Sequence, residues 1–277
     1  MNVKKTNLSR RDFLASGAAA AGMLALAGCG STSSSSSSST GSDTGSSASK
    51  GSYKIATDTT FAPFEYANDS GEYEGIDIDL RAAIAKDQGF DYDLDPVGFD
   101  AALQAVQSGQ DDGVIAGMSI TDERKKIFDF SDPYYESTVC CAAKSDGDIS
   151  SLDDLNGLTV AVKNGTMSSQ WAESIAAQYG FTTTTFDTSD VMYQDVAAGN
   201  SAACFEDTPV MSYAISTGAV DLKIIDSVDE DSEFATPYGF AVLKDENADL
   251  LSMFNAGLKD IKDDGTYDEI VDKYVKE

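Results

Sequence analysis

Runs of β-forming residues alternate with helical patterns from Tyr53 onward, and this alternation limits the fold more than any other sequence feature. Residues 53–57 (YKIAT) predict a strand, and residues 76–88 predict an amphipathic helix that Gly89 stops. Such alternation indicates an α/β fold with mostly parallel pairing. Further strands are expected near residues 92–94, 113–118, 138–143, 158–162, 181–186, 202–205, 222–225 and 238–243. Further helices are expected over 100–109 (capped by Asp100), 167–179 and 209–216, one more between the strands at 181–186 and 202–205, and a helical pair at the end.

The pattern starts again after Pro133, and no short-period repeat is present. A restart of this kind is what two similar lobes would produce, with the last segment returning to the first lobe. We expect residues 52–136 to form the first part of lobe 1, residues 137–235 to form lobe 2, and residues 236–277 to complete lobe 1.

The charge balance excludes several classes of protein. The 277 residues include 19 Lys+Arg against 47 Asp+Glu, no histidine, and a formal net charge of −28. A nucleic-acid-binding protein needs a basic face to neutralise phosphates, so no nucleic-acid partner is expected. Without histidine, the chain has no histidine-based catalytic triad and no histidine-containing zinc site. We expect no metal and no cofactor.

The N-terminus has the pattern of an export signal. A basic start is followed by an apolar, uncharged run over residues 13–28, which is shorter than the roughly 20 residues that span a bilayer. Residues 26–29 (LAGC) resemble a lipobox, which implies cleavage before Cys29 and lipidation of that cysteine. Residues 9–14 (SRRDFL) resemble a twin-arginine motif. We therefore expect residues 1–28 to be a lipoprotein signal peptide.

Residues 29–51 are expected to be the lipidated cysteine and a linker. Serine dominates this stretch, with glycine and threonine, and such a composition buries too little apolar surface to order itself. No later stretch approaches a membrane span. Removal of the first 28 residues, which carry four basic residues and one acidic residue, changes the net charge from −28 to −31.

Several motifs in register carry a family resemblance from about Tyr53 to the C-terminus. They are residues 56–65 (ATDTTFAPFE), 75–80 (GIDIDL), 116–124 (AGMSITDER), 128–135 (FDFSDPYY), 151–157 (SLDDLNG), 162–166 (VKNGT) and 207–209 (DTP). In this order the chain resembles the extracytoplasmic amino-acid-binding proteins of ABC importers, solute-binding protein family 3. Among these, the motifs are most similar to those of glutamine-binding proteins.

The resemblance implies a fold and a mode of action. The fold would be the two-lobed, type II periplasmic-binding-protein fold, with a cleft between the lobes and two hinge strands near residues 134–138 and 234–238. A monomer would close on a free amino acid and deliver it to an ABC importer permease. It would be extracytoplasmic, held on the membrane by its lipid, and not an enzyme.

The resemblance also assigns residues to the two charged ends of an amino-acid ligand. Arg124 would bind the α-carboxylate with its planar fork, helped by the Ser119 hydroxyl and a backbone amide near Thr166. Asp207 would bind the ammonium group, with the Gly117 carbonyl as a second acceptor. From the residues alone, the TDER sequence around Arg124 equally predicts a capped helix start with a solvated arginine, and Asp207 alone favours a turn or a helix cap.

Four further residues match the side-chain pocket of the family. Phe61 and Phe99 match two aromatic residues that sandwich the aliphatic part of the ligand, although an isolated phenylalanine is usually core. Asp58 and Lys163 match the pair that reads a side-chain amide, since together they offer an acceptor and a donor. The resemblance therefore favours glutamine.

Two positions depart from the glutamine-binding pattern. Glu206 stands where that protein has a histidine, and Met167 stands where it has a glycine beside the carboxylate site. A methionine side chain would narrow or cover the pocket, and Glu206 would add a negative charge that pairs with Lys163. Asparagine, other polar amino acids, cystine and basic amino acids remain as alternatives.

Two other readings stay open. Cyclohexadienyl dehydratases resemble these binding proteins, and Glu206 or Glu173 would then supply the acid that catalysis needs. An extracellular sensor module is the second alternative.

The three later cysteines are Cys140, Cys141 and Cys204. They are expected to be small buried apolar residues, with a bridge from Cys204 to one of the others as the alternative.

Overall fold

A computed structural model describes residues 51–275. The expected signal peptide, Cys29 and nearly all of the linker lie outside the described residues. Within residues 51–275, every helix is too short or too polar to cross a membrane.

Seven α-helices occur among the described residues, with two short 3-10 helices. They are α1 (Ile76–Gln88), α2 (Phe99–Gln107), α3 (Met167–Tyr179), α4 (Ser189–Ala198), α5 (Thr208–Ser216), α6 (Ala248–Asp263) and α7 (Thr266–Tyr274). The bounds of α1 are those predicted, and the helix ends as expected at Gly89, which has φ 73° and whose N–H donates to the Ala85 carbonyl.

Two five-stranded sheets form the centres of two lobes, and a small three-stranded sheet lies beside the first. The first sheet has the order β5 (Asp91–Pro96), β1 (Ser52–Thr57), β6 (Gly113–Val114), β13 (Ala241–Leu243), β7 (Phe128–Phe130). The second has the order β10 (Thr182–Phe186), β9 (Thr159–Lys163), β11 (Ala203–Asp207), β8 (Val139–Lys144), β12 (Leu222–Ser227). The small sheet contains β2 (Thr60–Phe61), β3 (Glu65–Ala67) and β4 (Tyr73–Glu74). The predicted two-lobed α/β fold is confirmed, and we call the lobes of the first and second sheets lobe 1 and lobe 2.

The C-terminal part of the chain returns to lobe 1, where α6 packs against α1. Gly257 permits this close approach, because a Cβ atom there would lie 2.8 Å from Cγ2 of Ile84. Phe254 stacks on Phe240 with 4.4 Å between ring centroids. These apolar contacts join the C-terminal helices to the core of lobe 1.

The prediction of mostly parallel pairing is wrong, because both sheets are mixed. The strand β1 is parallel to β5 and β6, and β9 is parallel to β10 and β11. In contrast, β8 is antiparallel to β11 and β12, and β13 is antiparallel to β6 and β7. Both β8 and β13 follow directly after the chain passes from one lobe to the other, so they enter their sheets in the opposite direction.

Two extended segments join the lobes where hinge strands were expected. They are residues 134–138 and 234–238, and neither contains any of the strands β1 to β13. Single β-bridges connect Tyr238 to Tyr135 and to Ser119. The Tyr134 N–H also donates to the Tyr238 carbonyl at 3.0 Å. The Phe64 ring packs edge-on against both Tyr135 and Tyr238, at 4.8 and 5.1 Å between centroids. The crossings thus rest on aromatic packing more than on a regular ladder.

Two local predictions differ from the structure. The strand expected over residues 113–118 ends at Val114, because the chain turns at Gly117, where φ is 51°. The helix α2 begins at Phe99, after Gly98, so Asp100 lies in its first turn and does not cap it. The small sheet of β2, β3 and β4 was not predicted, because strands of two or three residues carry almost no periodicity.

Candidate ligand-binding site

A cavity between the two lobes brings together ten of the eleven side chains or backbone positions expected to bind a ligand. It is lined by Asp58, Phe61, Phe99, Ala116, Gly117, Ser119, Arg124, Lys163, Thr166, Met167 and Asp207. The volume left between them is about 10 Å³, which is room for about one water molecule. The lobes are therefore closed on each other, and the cavity is filled by its own side chains.

Strand ends position most of the charged groups. Asp58 follows β1, Lys163 is the last residue of β9, and Asp207 is the last residue of β11. Because β9 and β11 are parallel, their carboxyl ends meet at the same edge of the second sheet. That edge faces the end of β1 in lobe 1, so the cavity lies where the strands of both lobes finish.

An ion pair between Lys163 and Asp58 crosses the cavity, and each side chain is only 1% exposed. The Thr59 N–H donates to the other oxygen of Asp58 at 2.6 Å. The Lys163 ammonium also lies 4.7 Å from the ring centroid of Phe61 and 5.8 Å from that of Phe99. Burial acts to lower the pKa of Lys163, but the charges of Asp58 and Glu206 outweigh it and raise that pKa. The lysine is therefore charged.

Arg124 both begins a short helix and places its guanidinium in the cavity. Its backbone N–H donates to Oγ1 of Thr121 at 3.2 Å, and Arg124 begins a 3-10 helix that ends at Lys126. Its guanidinium faces the cavity, where it donates to the carbonyls of Ser119 and Gly165 at 2.8 and 3.0 Å. Burial lowers the pKa of Arg124 to about 10, which leaves the group charged at neutral pH.

The N-terminus of α3 opens on the cavity beside Arg124. Thr166 is the N-cap, and its Oγ1 accepts from the Ser169 N–H at 3.1 Å and donates to the Lys163 carbonyl at 2.9 Å. Met167 is the first helical residue, and its buried side chain lines the cavity. The positive end of a helix beside a guanidinium favours an anion at this point.

Asp207 stands at the N-cap position of α5, but its side chain does not cap that helix. Oδ2 accepts a hydrogen bond from the Tyr238 hydroxyl at 2.5 Å, and the buried Oδ1 has no hydrogen-bonding partner among residues 51–275. Burial, with the negative charge of Glu206, raises the pKa of Asp207 to about 7, although Tyr238, Lys163 and Arg124 oppose this shift. The carboxyl group thus offers a buried acceptor that lacks a cation.

Gly117 is a position where only glycine fits. Its φ of 51° lies in the left-handed region, and a Cβ atom there would lie 2.4 Å from Cε1 of Phe61. Its N–H donates to Oδ2 of Asp77 at 2.8 Å. The peptide that follows the turn is therefore held in one orientation beside the cavity.

The sequence predicts that Glu206 lines the pocket, but the structure places it outside the cavity lining. Side chains alternate along β11, so Glu206 points away from the face that carries Asp207. Its buried carboxylate accepts from the Ser189 and Tyr193 hydroxyls at 2.8 and 2.9 Å and from the Asp207 N–H at 2.9 Å. Glu206 therefore acts on the cavity through its charge and not by contact.

A second cavity of about 670 Å³ lies between the same lobes and was not predicted. Tyr66 from lobe 1 and Tyr193 and Tyr213 from lobe 2 line it, together with Asp190. The charges of Lys163 and Asp58 act on the pKa of Asp190, so this outer cavity lies next to the ion pair. Its lining residues come from four separate segments (residues 59–67, 144–146, 190–197 and 210–222), so no single sequence motif marks it.

The three cysteines are free and fully buried, so the alternative of a bridge from Cys204 is not present in the structure. Within residues 51–275, no group of three or more metal-ligating side chains is placed to hold a metal ion.

Comparison with known proteins identifies the family. Residues 53–277 match the bacterial extracellular solute-binding proteins, family 3. The chain belongs to this family. It is similar to the arginine-binding extracellular protein ArtP of Bacillus subtilis, with 31% identity over 90% of this chain and 92% of the relative. It is also 30% identical to the L-cystine-binding protein TcyJ of Escherichia coli, over 81% of this chain and 83% of the relative.

Solved structures of similar proteins include open and liganded forms. An ancestral arginine-binding protein bound to glutamine is 38% identical, with a TM-score of 0.73 over 82% of this chain and 98% of that one. Substrate-binding domain 2 of Lactococcus lactis GlnP, in an open conformation, is 43% identical but has a TM-score of 0.58 over 82% of this chain and 96% of that one. The ancestral amino-acid-binding protein AncCDT-1, a precursor of cyclohexadienyl dehydratase, is 35% identical, with a TM-score of 0.72 over 81% and 96%.

Proposed function

We propose that this protein captures a free polar amino acid, with glutamine favoured, and delivers it to the permease of an ABC importer. A lipid on Cys29 would hold it outside the cell membrane, and the serine-rich linker would let the folded part reach away from the lipid surface. The relatives named as arginine-binding and cystine-binding proteins support an amino acid as the ligand.

One observation carries the proposal. Arg124 from lobe 1 and Asp207 from lobe 2 line the same buried cavity, and the charge of each acts on the other. An α-carboxylate fits the guanidinium and the N-terminus of α3, and an α-ammonium fits the partnerless oxygen of Asp207. A zwitterion therefore satisfies both charges at once, which neither a simple anion nor a simple cation would do.

Asp58 and Lys163 favour a carboxamide at the other end of the ligand. In the structure they pair with each other, as an acceptor with a donor. A carboxamide inserted between them offers a donor to Asp58 and an acceptor to Lys163, so both groups keep a partner. The ancestral arginine-binding protein that binds glutamine supports this choice.

Closure of the lobes is the proposed means of capture. An amino acid does not fit into about 10 Å³, so the lobes must separate before it enters. The overlap with the open GlnP domain is lower than the overlap with the glutamine-bound ancestral protein, although the sequence identity is higher. That difference is what a closed arrangement of the same two lobes would give. Ligand contacts from both lobes would then stabilise the closed state.

A longer or basic amino acid is the second candidate. The outer cavity begins beside the ion pair, and Asp190 there would attract the end of a long cationic side chain. Glu206 adds a further negative charge behind Lys163. Arginine and cystine are therefore the main alternatives to glutamine as the ligand.

A dehydratase activity is less well supported. Glu206 already accepts three hydrogen bonds behind the cavity, and Glu173 is exposed on α3. Neither acid lines the cavity. The similar AncCDT-1 is itself named an amino-acid-binding protein. Turnover of prephenate or arogenate by the purified protein would favour the enzyme instead.

Titration calorimetry of the full chain against twenty amino acids and cystine tests the proposal. We expect heat for glutamine, a large loss of affinity in Arg124→Ala, and a smaller recovery in Arg124→Lys, because lysine keeps the charge without the bidentate fork. Lys125→Ala is the control, since that neighbouring lysine is exposed. The proposal fails if no ligand in the panel gives heat.

The proposed anchor has its own test. Cys29→Ser should release the protein from the membrane fraction while leaving amino-acid binding unchanged. Replacing Arg10 and Arg11 by lysine should block export if the twin-arginine route is used, and normal export of that variant would point to the general secretory route.

A further inference from the structure

A pair of buried acidic residues lies behind the ligand cavity in lobe 1. Glu65 begins β3 and Asp77 is the second residue of α1, and both are 0% exposed. Neither lines the cavity. Burying two carboxyl groups side by side is costly unless they share a proton or meet a cation, so the pair calls for an explanation.

The hydrogen bonds around the pair are unequal. Oδ2 of Asp77 accepts from the Gly117 N–H at 2.8 Å and from the Tyr134 hydroxyl at 2.7 Å. Oδ1 of Asp77 and both oxygens of Glu65 have no hydrogen-bonding partner among residues 51–275. Two donors aimed at one carboxyl group favour its charged form, so Asp77 carries the charge and Glu65 carries the proton.

The charged groups nearby agree with this assignment. Burial and the charge of Asp77 raise the pKa of Glu65 well above its usual value; Asp58 adds to the shift, and Lys163 opposes it. Burial raises the pKa of Asp77 to about 6, against the hydrogen bonds from Gly117 and Tyr134 and the charge of Arg81. Arg81 makes no hydrogen bond to either acid in the described structure; it lies 4.1 Å over the Tyr92 ring and donates weakly to the Ile78 carbonyl.

Both hydrogen bonds of Asp77 lead to the ammonium end of the cavity. The expected acceptors for the ammonium group are the Asp207 carboxylate and the Gly117 carbonyl. The Gly117 N–H donates to Asp77 directly. Tyr134 connects Asp77 to Asp207, because its N–H donates to the Tyr238 carbonyl and the Tyr238 hydroxyl donates to Asp207. Hydrogen bonds and the side chains of Tyr134 and Tyr238 thus connect Asp77 to both acceptors.

We propose that Glu65 and Asp77, holding one proton between them, are positioning residues that align Gly117 and Asp207 for the ammonium group of the ligand. This inference rests on the proposed function, since it assigns those two residues to the ammonium group. It predicts an effect on one end of the ligand only.

Two probes separate that effect from a loss of structure. Glutamine carries the α-ammonium group, and glutaramate is the same molecule without it. In calorimetry on the full chain, Asp77→Asn should lower glutamine affinity by about tenfold or more, because a neutral acceptor replaces a charged one. Glutaramate affinity should stay within about twofold, so the preference for glutamine over glutaramate shrinks.

Three further variants complete the test. Glu65→Gln should keep the affinity for free glutamine within about twofold at pH 7, because the carboxamide of the new side chain mimics a protonated carboxyl group. Tyr134→Phe keeps the ring but removes one donor, so the glutamine preference should fall several-fold even if Asp77→Asn does not fold. Asp111→Asn is the control, since it removes a buried acid that pairs with Lys54 far from the cavity. It should lower the melting temperature and leave the preference unchanged.

The outcomes distinguish the two proposals. If the unmodified chain binds no amino acid, the proposed function fails and this inference fails with it. If the chain binds glutamine and the preference over glutaramate is the same in Asp77→Asn or Tyr134→Phe as in the unmodified chain, only the inference is overturned. An equal loss of affinity for glutamine and for glutaramate would mean that Asp77 has a purely structural role, and this result would also overturn the inference. Should the chain bind another amino acid, that ligand and its analogue without the ammonium group take the place of the two probes.

Discussion

Lys163 of lobe 2 and Asp58 of lobe 1 form an ion pair across the cavity between the lobes, and both side chains are only 1% exposed. Each group is the only oppositely charged hydrogen-bonding partner of the other within residues 51–275. The closed arrangement of the lobes thus includes a buried ion pair that joins them.

The first prediction is that breaking this pair opens the cleft. In Asp58→Asn, Lys163 keeps a buried charge without its partner, at a cost of about 3–5 kcal/mol, and separation of the lobes lets water reach it. Small-angle X-ray scattering without ligand should show a larger radius of gyration than for the unmodified chain. Lys259→Met is the control, because its pair with Asp263 is exposed and contributes little. Identical scattering by Asp58→Asn and the unmodified chain would contradict the prediction.

The second prediction concerns pH. Without ligand, the pKa of Asp207 is about 7, and an ammonium group beside it favours the carboxylate and lowers that pKa. Ligand binding therefore releases a proton near neutral pH, and affinity falls as the pH drops below about 7. Calorimetry in two buffers with different ionisation enthalpies measures the release. Asp207→Asn should abolish it, and a release that persists in this variant would assign it to another group.

The same carboxyl group affects stability without ligand in the opposite direction, because stability falls as the pH rises whereas affinity increases. A carboxyl group whose pKa is raised by folding contributes stability at low pH that is lost as the pH rises through about 7. Ligand should remove this loss, so the ligand-induced rise in melting temperature should be larger at pH 8 than at pH 6.

The third prediction tests the action of Glu206 at a distance. Its charge helps to raise the pKa of Asp207, so Glu206→Gln should move the midpoint of the pH dependence of binding below 7. The position of the midpoint is the readout, because it does not depend on how much affinity the variant loses. Asp153→Asn, an exposed acid of the same lobe, should leave the midpoint in place. An unmoved midpoint in Glu206→Gln would show that the charge does not reach Asp207.

The fourth prediction separates backbone strain from a clash in the cavity. Gly117→Ala places a Cβ atom 2.4 Å from the Phe61 ring at a φ of 51°, so ligand affinity should fall by more than about tenfold. Gly157→Ala has a similar strain, at a φ of 76°, with nothing within 4 Å of the new atom. It should lose stability without losing affinity. Equal affinity losses in both variants would attribute the effect to strain alone.

The fifth prediction concerns the cysteines. Cys140, Cys141 and Cys204 are free and 0% exposed, and burial raises the pKa of each thiol. In a Cys29→Ser chain, 5,5′-dithiobis(2-nitrobenzoate) should react with no thiol in the folded state and with three in guanidinium chloride. Fewer than three reactive thiols after unfolding would indicate a disulfide.

The sequence predicted features that depend on local or motif-sized patterns. The helix Ile76–Gln88 follows from apolar spacing and a glycine stop, and its bounds were predicted to the residue. Arg124, Lys163 and Asp207 were chosen from motifs far apart in the chain, and the structure brings them to one cavity. Their binding roles remain predictions.

Other features depend on how the chain returns to its sheets. The antiparallel entry of β8 and β13 follows from the crossings between lobes, and no periodicity in those strands records it. The position of Glu206 behind the cavity depends on which face of β11 turns inward. One residue of shift along a strand reverses that face, so neighbouring acids in sequence acquire different roles.

The sequence by itself determined the α/β alternation, the two-lobed fold and the charged residues available to a ligand, because spacing and composition are local properties of the chain. Only the tertiary structure decided that Asp58 is paired with Lys163, that Glu206 acts without contact, and that Glu65 lies beside Asp77. These relationships join residues from different secondary-structure elements, and burial acts on their charges. Burial and proximity are products of the packed fold, so they could not be predicted from the order of the residues alone.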